Sequence, residues 1–170
     1  NRNLSLLASG DAVNTGAIAA VGAIGLTVDG DVLSPGDIQA GGDLAAAVTG
    51  DFDTSGALTA GDRLGLVAGG DASLRNTAEA SIGTEIVISV GGDFLNDRGT
   101  ASITTFSRSV GQNLTNAANG HLQGDFQESG DEKIVTIGQA LTNNGVFYAT
   151  GDLFVAVLGD AANTGTLAAR

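Results

Sequence analysis

A chain of 170 residues has room for one ordinary domain rather than for two independent cores. With 7 Lys and Arg against 19 Asp and Glu, the formal net charge is −12, which argues against nucleic acid or an anionic membrane as partner, since both attract clustered cations. Hydrophobic residues at 42% exclude a disordered chain, no apolar run approaches the ~20 residues of a bilayer span, and the absence of Cys excludes disulfides and thiolate metal sites.

Asn1 to Ser9 already alternates, with Leu4 and Leu6 on one parity. From there the chain repeats. Gly-Asp pairs stand at Gly10-Asp11, Gly30-Asp31, Gly50-Asp51 and Gly70-Asp71, each 20 residues from the last. Two residues beyond each Gly come Ala12, Val32, Phe52 and Ala72; eight beyond come Ile18, Ile38, Leu58 and Ala78. The later columns hold Leu26, Ala46, Leu66 and Ile86, then Val28, Val48, Ala68 and Ile88. Every apolar column has an even offset, so the pattern has period two and marks strands with one buried face. Gly16, Gly36 and Gly56 break each repeat into short strands. A 20-residue unit of this kind cannot close a core alone, but identical units stacked on one another can. The sequence therefore predicts an all-β parallel β-helix, a solenoid of about 20-residue turns, as a single domain over residues 1–170.

Beyond Gly70 the period loosens. Counted from Gly to Gly, the next repeats begin at Gly92, Gly111, Gly138 and Gly159, with lengths of 22, 19, 27 and 21. The two extra residues of the first are expected around Ile86-Val87-Ile88-Ser89-Val90, where parity would be unchanged. The longest repeat is expected to carry its excess as a loop over residues 127–133, comprising Gln127, Glu128, Ser129, Gly130, Asp131, Glu132 and Lys133. Gly159-Asp160-Ala161-Ala162-Asn163-Thr164-Gly165 nearly repeats Gly10-Asp11-Ala12-Val13-Asn14-Thr15-Gly16. Neither terminus shows a capping element, which reads as a slice of a longer rod, itself on the order of 40 Å long at the strand spacing.

Two polar columns are candidate sites. Asp11, Asp31, Asp51 and Asp71 would stack ~5 Å apart, either as a Ca²⁺ ladder or, as favoured here, each accepting hydrogen bonds from the backbone of its own turn. The Ca²⁺-binding nine-residue signature is absent, so no cofactor is expected. Asn14, Asn76, Asn96, Asn116, Asn143 and Asn163 are expected to stack amide on amide at a turn, rather than to line a glycan-binding face. An enzyme is not expected. His121 is the sole histidine, no Ser lies in a nucleophile elbow, and the seven basic residues are one or fewer per turn. Arg108 falls at an apolar offset, which predicts a slip of register there. Threonines are scattered among columns, which argues against an ice-binding ladder. The aromatic residues gather late, at Phe94, Phe106, Phe126, Phe147, Tyr148 and Phe154, and are expected to fill a wider core.

The consensus Gly-Asp-x-x-Asn-Thr-Gly-x-Ile/Leu-x-Ala-x-Gly-x-Leu-x-Leu-x-Val, together with Gly56-Ala57-Leu58-Thr59-Ala60-Gly61 and Ala40-Gly41-Gly42-Asp43-Leu44, resembles the haemagglutinin repeats of filamentous haemagglutinin and related exoproteins of bacterial two-partner secretion. The resemblance is strongest over residues 10–90 and 138–170. It implies a right-handed β-helical shaft, passed through an outer-membrane transporter and displayed at the surface of a Gram-negative cell. Two roles follow as expectations. One is a passive shaft that projects an adhesive or toxic tip. The other is a shaft that itself binds a host receptor, a glycan or a neighbouring cell, and the irregular stretch 92–137 is where that would sit. Neither nucleic acid nor membrane insertion is expected.

Overall fold

Period-two alternation sends successive side chains to opposite faces of an extended chain, and a glycine-bearing corner after every few residues turns that chain onto a new strand. The computed structural model, which describes residues 2–75, 80–82, 85–97, 99–101, 105–124 and 134–170, is the resulting parallel β-solenoid. Each turn contributes three strands, and each strand pairs in parallel with its counterpart one turn on. Among the described residues there is no helix, hence none long and apolar enough to cross a membrane.

One side of the solenoid is an eight-stranded sheet running from Leu4–Ala8 through Ile24–Val28, Leu44–Val48 and Arg63–Ala68 to Phe154–Val157. A second side is a sheet of eight shorter strands, from Ala12–Val13 through Phe52–Thr54, Phe94–Asp97 and Leu114–Asn116 to Ala161–Asn163. The third side divides into two four-stranded sheets. One runs from Ala17–Ala20 to Ala80–Ile82, the other from Gly99–Ala101 to Thr166–Ala169.

The core lies between the three sides and is built of columns. Ile24, Leu44 and Leu64 stack in one, Val28, Val48, Ala68, Val90, Val110 and Ile137 in another, all of them buried. On the second side Ala72 sits between Phe52 and Phe94, each about 1% exposed, so a small side chain separates two large ones and packing density is kept. Phe147 is buried as well, whereas Phe154 is 57% exposed and Tyr148 is half-buried on the outward parity; the expectation of aromatic core filling holds for Phe94 and Phe147 and fails for Tyr148 and Phe154, while Phe126 lies outside the described residues. The first and last turns have a neighbour on one side only, and Leu4, Leu6 and Val157 are partly buried there.

The register corrects several expectations. Phe94 pairs with Leu114 and Leu141 with Ala161, so these turns are 20 residues long, not 19 and 21. Gly111 stacks on Gly91 rather than on Gly92; where glycines come in adjacent pairs, counting them selects the wrong member. Arg63–Ala68 pairs without a break with Glu85–Val90, while Leu58 already pairs with Ala80, so the two extra residues fall between Leu74 and Ala80. Ile88 therefore stands under Leu66, and Ala80 under Leu58, two places from the column that simple counting assigns. There is no slip at Arg108: its backbone pairs with Ile88 on one side and Val135 on the other.

The long turn splits its excess. Asn116 pairs with Asn143 and His121 with Val146, which puts two extra residues in the tight turn after Asn116. Gly124 pairs with Ala149 and Ile134 with Phe154, so residues 125–133 connect strands that residues 150–153 connect one turn later. Five of the seven extra residues thus belong to that connection. Gln127, Glu128, Asp131, Glu132 and Lys133 lie outside the described residues.

The outward positions of the first sheet also form columns. Two central ones run by backbone register, one through Ser5, Gly25, Ala45, Gly65, Val87, Ser107, Ile134 and Phe154, the other through Leu7, Thr27, Ala47, Val67, Ser89, Ser109, Thr136 and Ala156; Arg63 and its partner Glu85, on the same parity, begin their strands beside them.

Two outcomes follow. Removing the whole turn Gly30–Thr49 is expected to leave the circular-dichroism spectrum unchanged in shape and to shorten the rod, measured by small-angle scattering, by about 4.8 Å; collapse of the β signal would contradict interchangeable turns. Removing residues 127–131 is expected to change stability by no more than about 0.5 kcal/mol, because the flanking pairings keep a four-residue connection. Removing 127–133 leaves two residues for the same span, and melting should fall by several degrees more.

Candidate functional site

The Gly-Asp pair recurs at one corner of every early turn, and its chemistry is set between turns. Asp11 Oδ1 accepts the backbone N–H of Asp31 at 3.0 Å, Asp31 Oδ1 that of Asp51 at 2.8 Å, and Asp51 Oδ1 that of Asp71 at 2.8 Å. The expectation was a bond from each residue's own turn. The donor is instead the amide of the turn above, because in a parallel stack the corner amide points along the rod toward the neighbouring carboxylate. The column continues further than the four Asp residues read from the sequence. Asp71 Oδ1 accepts from the amide of Asp93 at 2.8 Å, Asp93 Oδ1 from both amides of Asn113, and Asn113 Oδ1 from the amide of Ala140 at 3.2 Å.

This arrangement explains the glycine. A Cβ placed on Gly30, Gly50, Gly70 or Gly92 would overlap the Oδ1 of Asp11, Asp31, Asp51 or Asp71 in the turn below. A Cβ on Gly10, which has no turn below, would meet nothing within 4 Å. So the Gly of one turn makes room for the Asp of the previous one. The same device recurs at other corners: Asn3 Oδ1 accepts from Ala23, Asp43 Oδ1 from Arg63 and Asp37 Oδ1 from Ala57. Like charges one strand spacing apart repel by roughly 1 kcal/mol in water, and the amide donor aimed at each carboxylate opposes that repulsion.

The Asn column lies inside. Asn14, Ser34, Thr54, Leu74, Asn96, Asn116, Asn143 and Asn163 stack in register on the second side. Asn96, Asn116 and Asn143 are buried to 1% exposure or less. Asn96 Nδ2 donates to Asn116 Oδ1, Asn116 Nδ2 to Asn143 Oδ1 and Asn143 Nδ2 to Asn163 Oδ1, each at 2.7 Å. The second amide hydrogens reach backbone carbonyls, Asn116 to Val146 at 3.1 Å and Asn143 to Thr166 at 2.8 Å. Nearer the start the smaller hydroxyls serve: Asn14 Nδ2 donates to Ser34 Oγ, Ser34 Oγ to the carbonyl of Gly36, and Thr54 Oγ1 to the carbonyl of Ser34. Leu74 interrupts the column between Thr54 and Asn96, and Asn76, which the sequence reading had included, lies outside the described residues.

The remaining candidates do not converge. His121 is exposed on the strand Gly120–Gly124. Arg75 reaches Asp53 at 3.3 Å and Ser73 Oγ at 3.2 Å on the outer surface of the second side, an exposed pairing worth little. Among the described residues no three His, Asp or Glu side chains are grouped as a metal ion would need. Compared with family models, with curated proteins and with solved structures, the chain has no match.

Gly50→Ala is expected to destabilise the chain by about 1–3 kcal/mol through overlap with Asp31, while Gly10→Ala stays within about 0.5 kcal/mol. Adding Asp31→Ala to Gly50→Ala should recover part of the loss in a double-mutant cycle measured by urea titration. Asn116→Leu strands the amide hydrogens of Asn96 and the Oδ1 of Asn143 in the core, and should cost about 2–5 kcal/mol in the same assay.

Proposed function

We propose that this chain is part of the shaft of a secreted or surface-displayed bacterial exoprotein of the filamentous haemagglutinin kind, a stiff spacer that holds a binding or toxic tip away from the cell. The observation that supports it most is the continuity of the two ladders. Bonds from backbone amides to side-chain oxygens, Asp carboxylates as far as Asp93 and then the Asn113 carboxamide, link successive turns from Asp11 to Ala140, and amide-to-amide bonds link them from Asn96 to Asn163. Groups that could do chemistry are thereby committed to holding one turn on the next. The repeat motifs shared with haemagglutinin repeats support the same reading from the sequence side.

In this role the useful property is length. Eight strands stacked at ~4.8 Å give a rod of about 34 Å, and each further turn adds another strand spacing without changing the cross-section. Because each turn rests on its neighbours, the shaft can fold progressively as it leaves an outer-membrane transporter, the partner this reading implies. The spacer role needs no catalytic residue and no cofactor.

The test separates holding from binding. With the turn Gly30–Thr49 removed from the parent exoprotein, adhesion or toxin delivery should persist, and the purified 170-residue rod should not bind host or bacterial cells. Saturable binding of the isolated rod to cells or to a glycan array would replace the spacer with a shaft that is itself adhesive.

A further inference from the structure

The two central outward columns of the first sheet carry no charge, and its charged strand residues of the same parity, Arg63 and Glu85, stand at the strand starts beside them. No Asp, Glu, Lys or Arg stands in either outward column, from Ser5 to Phe154 or from Leu7 to Ala156, although the chain holds 19 acidic residues. Other carboxylates stand at the corners and on the other two sides, at Asp11 to Asp93, Asp53 and Asp37. Large apolar side chains are exposed in these two columns: Leu7 at 78%, Val67 at 51% and Phe154 at 57%.

A second observation is independent of composition. Gly25 and Gly65 lie in the middle of strands of this sheet, and a Cβ on either would meet nothing within 4 Å. The corner glycines are different, since Gly30, Gly36, Gly50 and Gly56 have no room for a Cβ. An interior glycine weakens a strand, and where the chain's own packing does not require it, it marks a place where another backbone comes close. Gly25 and Gly65 flank Ala45 in one column, and together they make a shallow trough beside the ridge of Leu7, Thr27, Ala47 and Val67.

We propose that this face is a self-association surface on which a second copy of the chain lies sheet to sheet. Charge selects the occupant: each copy carries −12, and within the five-residue band between the strand starts and the next corner two copies meet without opposing carboxylates. A two-fold axis along the rod lays the ridge of each copy in the glycine trough of the other, an isologous contact. Seven strand spacings by five residues give about 550 Å² a side, or about 1,100 Å² in all, just above the ~1,000 Å² that a specific interface needs. The pair is therefore weak. It does not depend on the spacer reading, since a rod that fails to pair is still a spacer.

Sedimentation equilibrium of the 170-residue chain between about 10 μM and about 1 mM is expected to show a monomer–dimer equilibrium that strengthens with added salt as the mutual repulsion is screened. Gly65→Val should hold or raise the melting temperature, because it meets no neighbour and favours the strand, and should weaken dimerisation by about tenfold or more. Ala47→Glu should abolish the dimer, whereas Gln39→Glu, exposed on the third side, should leave it intact. A chain that stays monomeric throughout overturns the proposal. So does association indifferent to both Gly65→Val and Ala47→Glu, which would mean stacking end to end. Retention of a purely monomeric rod on an insoluble polysaccharide, lost in Ala47→Glu, would assign the face to a glycan instead.

Discussion

Everything in this structure follows from one constraint: each residue rests on its own counterpart one turn away, at the ~4.8 Å spacing of paired strands. A side chain can occupy a column only if it tolerates its own kind above and below. Ile, Leu, Val and Ala meet that condition by packing, as Ile24, Leu44 and Leu64 do. Asn meets it by hydrogen bonding, because an amide is both donor and acceptor and can chain without end; Asn96, Asn116 and Asn143 do so in the dry core. Asp cannot bond to another carboxylate. It accepts the next turn's amide instead, and the space its carboxylate then takes is the reason a glycine precedes the following Asp. Both ladders also have a direction, so the rod is polar along its length even though its cross-section repeats.

The same constraint distributes the charge. An ionised column is tolerable only where amide donors and water share the load, which is at the corners. The flat side of the first sheet has no such donors to spare, since its amides are taken by the strand ladder, and its two central columns hold Gly, Ala, Ser, Thr, Val, Leu, Ile and Phe. The molecule is thus acidic along its corners, and on this side the charges of outward parity stand at the strand starts, at Arg63 and Glu85. The proposed projection along the axis and the proposed pairing across the central band of this side do not compete for the same surface.

Irregularity is confined in the same way. Extra residues enter at corners, between Leu74 and Ala80, after Asn116 and between Gly124 and Ile134, and the strands on either side resume their register at once. An insertion within a strand would move every later side chain off its counterpart or to the other face. An insertion at a corner costs only the closure of a slightly longer loop.

By itself the sequence determined the solenoid, because period two and period twenty are both written in residue chemistry: alternate apolar positions declare strands, and their recurrence declares stacking. It also determined the members of the early columns, since Asp11, Asp31, Asp51 and Asp71 need only be counted. Three matters were decided by the tertiary structure alone. The true register beyond Arg75 depends on which of two adjacent glycines, such as Gly91 and Gly92, a later Gly111 rests on, and that is a pairing between chain segments rather than a property of either. The burial of Asn96, Asn116 and Asn143 was implicit in their parity but disguised by their polarity, because only a stacked partner makes a buried amide tolerable. The partner of each carboxylate, the amide of the next turn and not of its own, is set by the direction in which corner amides point once the turns are superposed. In each case the deciding contact joins residues twenty or more apart, and local sequence has no means of expressing it.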